Sequence, residues 1–383
     1  MSYTRMISKE RMARAMNLEK PDRVPVMCQM SFGHMLLQTG LRPLELWNSK
    51  EVFVEALLKL RELYQFDGIL ISLHGHSSQW MKDVQHIEKD KSQEIITWKD
   101  GSRTEFSPDD LPRHYPVKVL ASPSIENINP DTIPENIDFI PVSQGLDFII
   151  DPHHPYDIFY LIKEKAGDQF SIHGEVTSPF DYFLQLFGVK NAMMSLIEAP
   201  VKAMEILQKF TQGITKIAVD QAEIGVDAIK ISSPYAGAGL ISPEFYHRFI
   251  LPCESQIVNA VRYFGTHIYI HTCGAINDRL EMMAESGASG IECLDPPPLG
   301  NVSLEDAKDR IGHKIFIKGN IDPINVLLQG NVEDVKRDAA HRIEVGKPGG
   351  GYILSTACSI APYTKKENVQ VLTDIAEEVG QYE

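Results

Sequence analysis

The sequence predicts an α/β protein of the (β/α)8 (TIM) barrel class with a small β insertion after the second strand. Three observations carry this. Short apolar runs recur eight times along the 383 residues, each followed somewhere by a helical pattern. The runs are apolar throughout rather than alternating, as parallel strands covered on both faces must be. No linker composition divides the chain, so residues 1–383 read as a single barrel domain, a size such barrels reach in one piece. The alternative is an open doubly wound sheet, and the strand count favours the closed form.

In order, residues 8–17 read as a helix that Pro21-Asp22-Arg23 breaks. Residues 24–30 are the first buried strand, 51–64 a strongly amphipathic helix and 67–73 the second strand, which ends in His74-Gly75-His76. Residues 87–106 then alternate, with Trp98-Lys99-Asp100-Gly101 as a hairpin signal; this is the β insertion. Residues 122–144, rich in Pro, Asn and Asp, read as a wandering loop with a short helix. The remaining strands fall at 170–176, 228–232, 267–271, 290–294, 314–318 and 352–355. Helices are expected at 192–221 (punctuated at Pro200), from Ser242-Pro243, at 277–286, 303–311 and 332–345, and at 364–379, where Thr364 and Glu367 form a capping box. The glycine-rich 346–351 precedes a strand and reads as an αβ connection, not a phosphate loop.

The formal net charge of −15 argues against a nucleic-acid or anionic-membrane surface, both of which reward Lys and Arg. No apolar run is long enough to span a bilayer, and residues 1–18 are charged and helical in pattern, unlike a signal peptide. Five cysteines without secreted-type spacing point to a reducing, cytoplasmic setting, where Cys serves as ligand, nucleophile or core filler.

In such a barrel the chemistry sits where strands end and βα loops begin. The second strand delivers His74 and His76 there, the third Glu175, the fourth Tyr235, the fifth His271 and Cys273, the sixth Glu292, Cys293 and Asp295, and the eighth Cys358. Imidazole and thiolate one residue apart are a zinc-type ligand pair. His271, Cys273 and Cys358 make three ligands and leave a fourth position, which is the catalytic rather than the structural arrangement. Glu292 or Asp295 is the candidate to close the shell at rest. Glu175, a carboxylate at a strand end, is a candidate catalytic group; His74, His76 and Tyr235 are candidate substrate contacts. Cys28, Cys253 and Cys293 read as core thiols. Aromatics near the expected mouth (Phe32, Trp80, Phe180, Tyr182 and Tyr235) are compatible with an aromatic substrate and equally with loop packing.

Five stretches carry a resemblance: Pro21-Asp22-Arg23-Val24-Pro25-Val26, Leu240-Ile241-Ser242-Pro243, Ile270-His271-Thr272-Cys273-Gly274, Gly319-Asn320-Ile321-Asp322-Pro323, and Gly350-Gly351-Tyr352-Ile353-Leu354 leading to Cys358. Over nearly its whole length the chain resembles the uroporphyrinogen decarboxylase superfamily, which implies the (β/α)8 barrel. True decarboxylases of that superfamily carry Arg-Gln-Ala-Gly-Arg after the first strand; here the place reads Gln29-Met30-Ser31-Phe32-Gly33-His34, without either arginine. The His-x-Cys and the distant Cys resemble instead its zinc-dependent, corrinoid-linked methyltransferases, of which the methylcobamide:coenzyme M enzymes are the best known. Cobalamin-independent methionine synthase uses a similar ligand set.

That resemblance implies Zn2+ on His271, Cys273 and Cys358, with Glu292 the less certain carry-over. It also implies methyl transfer between a small substrate, a thiol acceptor or a methylated donor, and a corrinoid (methylcobalamin). This chain has no Asp-x-His-x-x-Gly segment to hold a corrinoid, so the cofactor is expected on a partner corrinoid protein. A homodimer is left open. The alternatives are a uroporphyrinogen decarboxylase or related metal-free decarboxylase on the same barrel, and a protein whose zinc is only structural.

Overall fold

The computed structural model describes residues 5–90, 93–119, 121–142 and 146–383. Seven parallel strands form one curled sheet in chain order: β1 (Gly68–Ile71), β2 (Ser171–Thr177), β3 (Ala228–Ser232), β4 (His267–Thr272), β5 (Gly290–Cys293), β6 (Phe316–Ile321) and β7 (Tyr352–Thr356). Their residues are buried almost throughout, because helices cover the outer face and side chains fill the interior.

The eighth expected strand, residues 24–30, is not a ladder strand. It makes isolated parallel bridges from Val26 to Leu354 and from Met30 to Ile360. Pro25 has no N–H to give, which interrupts a regular ladder. The segment still fills the gap between β7 and β1. Met27 N–H donates to the Leu354 carbonyl at 3.1 Å and Leu354 N–H to that of Pro25 at 2.9 Å, while Asp67 N–H donates to the Val26 carbonyl at 2.8 Å on the other side.

The same segment is anchored at the N-terminal face by a buried ion cluster. Arg11 Nη1 meets Asp67 at 2.6 Å and its Nε meets Asp22 at 2.6 Å; Arg23 Nη1 reaches Asp67 at 2.9 Å, and Val26 N–H donates to the same carboxylate at 2.8 Å. Pro21-Asp22-Arg23 is therefore a structural latch on the face opposite the chemistry.

Between β1 and β2 lies the expected insertion, an antiparallel sheet of Val84–Lys89, Glu94–Trp98, Arg103–Phe106 and Arg113–Tyr115. Its hairpin turns where the sequence signalled: Gly101, at φ +87°, donates to the Trp98 carbonyl at 2.9 Å. The stretch read as a loop with a short helix contains two short 3-10 turns, Ile125–Asn127 and Pro130–Thr132. It also contains a strand, Phe139–Val142, that pairs with Leu146–Ile149; part of this stretch, 143–144, lies outside the described residues.

Among the helices, the expected break at Pro200 separates Pro179–Glu198 from Pro200–Ile224. The hydroxyl of Ser242 accepts from Phe245 N–H at 3.2 Å and that of Ser303 from Asp306 N–H at 3.3 Å, as N-caps should. The Thr364–Glu367 capping box does not form. The helix is Lys366–Val379, extended Lys365 takes the cap position, and buried Thr364 Oγ1 has no hydrogen-bond partner. A capping box forms instead at Asn331 and Asp334, ahead of Val332–Gly346. Among the described residues no helix is long and apolar enough to cross a membrane.

Candidate metal centre at the barrel mouth

His271 lies one residue before the end of β4, Cys273 in the loop just beyond it, and Cys358 two residues past β7. Strands β4 and β7 are not neighbours in the sheet, so only its curvature brings them together. Cys273 Sγ lies 3.3 Å from His271 Nε2 and 3.7 Å from Cys358 Sγ. All three ligand atoms fall within 4.8 Å of one another. A tetrahedral ion with zinc–sulfur bonds of about 2.3 Å sets its sulfur ligands about 3.7 Å apart. The donor set and its spacing therefore fit zinc.

Two glycines let the loop adopt this shape. Gly274, at φ +77°, turns the chain after Cys273 and donates its N–H to Asp295 at 2.6 Å. Gly237 packs so closely that a Cβ there would sit 2.5 Å from the Cys273 carbonyl oxygen. Strand β5 ends with two non-glycine residues in the left-handed region, Cys293 (φ +89°) and Leu294 (φ +56°). Each costs about 1–3 kcal/mol. The bend brings Cys293 Sγ to 3.3 Å from Asp295 and into a second ligand-competent group with Cys273 and Asp295. Cys293, read from sequence as a core thiol, is fully buried and also borders the centre.

Beneath the ligands runs a buried charge network. Glu292 accepts from His271 Nδ1 at 3.0 Å and pairs through its other oxygen with Lys318. Lys230 meets Glu175 at 3.1 Å, Glu292 at 3.9 Å and Gln29 Oε1 at 2.6 Å. The register explains it: Glu175 faces Lys230 across β2 and β3, His271 faces Glu292 across β4 and β5, and Glu292 faces Lys318 across β5 and β6. Both lysines are 0% exposed, so two cations balance two carboxylates inside the barrel.

The electrostatics follow. Burial alone would raise Glu292, but Lys318 and Lys230 outweigh it and hold the carboxyl well below its usual range. Burial would lower His271, yet the neighbouring Cys273 and Glu292 raise it to about 9. Hydrogen bonds from the Cys293 and Cys358 thiols, with the charge of His271, hold Cys273 as thiolate against the opposing effect of burial. Such a site is primed for a cation. At the edge, burial pushes Asp181 up to about 8, against the hydrogen bond from Ser178 and with help from the Cys273 charge.

The ligands open into a cleft of about 760 Å³. Tyr235 and Glu175 line it as expected, with Tyr235 about half exposed at the lip. His74 and His76 do not. His74 is buried with Nδ1 on the Pro155 carbonyl at 3.1 Å, and His76 faces a separate cavity between the barrel and the inserted sheet. Gly75 (φ +68°) turns the chain between them, and the rings part: His74 lines a small cavity whose Ser72, Glu175 and Thr177 also line the cleft. Glu292, expected as a fourth ligand, is turned to the far nitrogen of His271. Sequence reasoning missed Lys230, Lys318 and Asp181. A lysine inside an apolar strand with no solvent side was the available signal for the first two.

The profile of the uroporphyrinogen decarboxylase (URO-D) family matches residues 130–379. The chain belongs to that family. Its relatives divide between two activities. Over 225 residues the chain is 28% identical to the methylcobamide:CoM methyltransferase MtbA of Methanosarcina acetivorans, covering 56% of this chain and 60% of that one. It is also 28% identical to the methyltransferase MtaA of Methanosarcina barkeri over 218 residues, covering 57% and 61%. The uroporphyrinogen decarboxylase of Chlorobaculum tepidum is 27% identical over 250 residues, covering 61% and 68%. The chain thus spans about 60% of the length of the methyltransferases it matches. In structure it superposes on a methyltransferase from Methanosarcina mazei with a TM-score of 0.72 at 21% identity, covering 97% of this chain and 99% of the other. The URO-D fold therefore extends beyond the residues that sequence alone aligns.

Proposed function

We propose that this URO-D family member is a zinc-dependent methyltransferase that moves a methyl group between a small substrate and the corrinoid of a partner protein. The observation that carries the reading is the convergence of His271, Cys273 and Cys358 at tetrahedral spacing, with an open cleft before them. The methyltransferase relatives support it.

A zinc ion held there supplies a Lewis acid that keeps a thiol acceptor as thiolate or polarises the heteroatom of a methyl donor. The protein's own residues set the conditions. Cys273 and Cys358, as thiolates, bring two negative charges, so a reacting sulfur beside them keeps more nucleophilicity than beside a site of three histidines. Glu292 fixes the tautomer of His271, accepting at Nδ1 and leaving Nε2 to face the metal position. Lys318 and Lys230 keep Glu292 ionised for that task. Asp181 holds a proton at neutral pH on the cleft wall, where it can donate a hydrogen bond to a substrate heteroatom.

The wall suggests what is bound. Phe32, Phe53, Leu184 and Tyr235 supply apolar surface, Glu175 and Asp181 supply carboxyl groups, and no Lys or Arg lines the cleft among the described residues. This favours an uncharged or cationic substrate over an anionic one. It also weighs against porphyrinogen decarboxylation, whose substrate carboxylates need a bidentate cation.

One titration tests the reading. Zinc-loaded protein is exposed to a panel of thiols and methylated donors while zinc-edge X-ray absorption and proton release are recorded. A thiol acceptor raises the zinc sulfur count from two to three with about one proton released; a methyl donor held through oxygen or nitrogen leaves the count at two. An unchanged shell with every compound, alongside tightly retained zinc, would overturn a catalytic role.

A further inference from the structure

All three tryptophans of the chain, Trp47, Trp80 and Trp98, line one cavity. It measures about 360 Å³ and lies between the barrel and the inserted sheet, apart from the metal-centre cleft. Phe106 and Phe148 complete its aromatic wall. Cavities that take small ligands run from about 300 to 1,000 Å³ and are lined by aromatic groups with a few placed polar atoms. This one has room for one or two rings.

Its polar atoms define what it accepts. Trp98 Nε1–H donates to Thr104 Oγ1 at 2.8 Å, and Thr104 Oγ1 lies 2.9 Å from His114 Nδ1. The hydroxyl, accepting from the indole, gives its own proton to Nδ1. In that arrangement His114 presents Nε2–H to the cavity as a donor. No Lys or Arg lines the cavity among the described residues, which removes the partner an anion would need. The one carboxylate on its edge, Asp147, is taken by the Gln185 amide at 3.1 Å, and burial pushes its pKa up.

His76 forms part of the floor. Its ring stands edge-on to Phe148 at 4.7 Å and tilted on Phe53 at 5.1 Å. It is 5% exposed and burial holds it neutral, at about 3. The Leu46 backbone comes near enough to act on the ring, but neither ring nitrogen is satisfied at hydrogen-bond geometry. His76 thus serves this second cavity, whereas His74 lies outside it.

We propose that the cavity is a binding site for an uncharged, flat aromatic molecule bearing a hydrogen-bond acceptor at its edge. The site backs onto the cleft. Trp47 packs edge-on between Phe148, at 5.3 Å, and cleft-lining Phe32, at 5.7 Å, and Phe53 lines the cleft while touching His76. A ligand there would pin the inserted sheet, whose Asp110 and Leu111 also wall the cleft, against the barrel.

Intrinsic fluorescence reports on this site, because it holds every tryptophan, and the Trp80→Ala variant separates it from the cleft that Trp47 adjoins through Phe32. Acetophenone is the probe, with cyclohexyl methyl ketone, tetramethylammonium and benzoate as non-aromatic, cationic and anionic controls. The expected result is a saturable fluorescence change with acetophenone, at a Kd at least tenfold below that of the cyclohexyl ketone. By calorimetry, Trp80→Ala and His114→Phe should each weaken acetophenone binding tenfold or more, with thermal unfolding confirming that the variants fold. Cys273→Ser, which disables the metal centre, should bind acetophenone unchanged, so this proposal survives failure of the methyltransferase reading. Linear quenching, equal affinity for the cyclohexyl ketone, tightest binding of tetramethylammonium or benzoate, or loss of binding in Cys273→Ser would each overturn it.

Discussion

Glu292 accepts a hydrogen bond from His271 Nδ1 at 3.0 Å, and the opposite ring nitrogen of His271 faces Cys273 at 3.3 Å. The carboxylate is thus spoken for before any metal arrives. It reaches the group of His271, Cys273 and Cys358 through the imidazole.

The first prediction is of metal content. Purified protein should hold about one zinc per chain, and Cys273→Ser should lose it, since a hydroxyl does not replace a thiolate on zinc. Cys293→Ser should keep it if His271, Cys273 and Cys358 are the ligands, and should lose it if the second group, Cys273, Cys293 and Asp295, holds the ion. Elemental analysis of the three proteins decides; zinc retained in Cys273→Ser would sink the site. Circular dichroism should show the barrel intact after chelation.

The second concerns the lysine beneath the ligands. Lys318→Met leaves Glu292 ionised beside one cation instead of two. Removing one partner of a buried ion pair costs about 3–5 kcal/mol, and losing an outer-shell orienter costs about 10–100-fold in metal affinity. Adding Glu292→Gln to Lys318→Met should recover much of the stability but not the zinc affinity. Denaturant unfolding and zinc competition titrations separate the two effects; recovery of both would mean that Glu292 does not act on the metal.

The third is a pH dependence. Asp181 keeps its proton in the folded protein up to about 8, whereas an unfolded aspartate loses it near 3.8. Its folded pKa is raised, so its stabilising effect is full below the unfolded value and is lost as pH rises through the folded one. Across that window it removes at most about 1.4 kcal/mol per pH unit. Asp181→Asn should flatten the fall in Tm between pH 5 and 8 relative to the parent, measured at fixed zinc. Parallel curves would show that Asp181 ionises normally.

The fourth is negative. With Gln29 to His34 free of arginine and no Lys or Arg on the described cleft wall, uroporphyrinogen should not be turned over. Detectable coproporphyrinogen would reverse the choice between the two activities among the relatives.

Much of this was legible in the sequence because it rests on local signals. Apolar runs marked seven of the strands, and His271, Cys273 and Cys358 announced themselves by residue type once a barrel was assumed. What stayed hidden depends on closure. Lys230 and Lys318 sit inside the runs Ala-Ile-Lys-Ile-Ser and Phe-Ile-Lys-Gly-Asn, where a lysine reads as an interruption; only a register that sets each opposite a carboxylate gives it a reason. His74 and His76 misled because a strand end is not always a mouth: beyond β1 the two rings sit in separate cavities beside the cleft, not in it. Thr364 had the residues of a cap without its backbone, which Lys365 supplies.

The bridge from Val26 to Leu354 has a consequence for how the protein is made. These partners stand 328 residues apart (354 minus 26), and the segment holding Val26 leaves the ribosome before its mate. The seam therefore cannot be sewn during synthesis until the nascent chain has passed Leu354 on β7. Until then the earlier segment depends on its latch to Arg11 and Asp67, and the flank of β1 that it will occupy stays open to other strands. Translation that stalls short of Leu354 would leave a barrel with an unsealed edge, the kind of surface that chaperones hold.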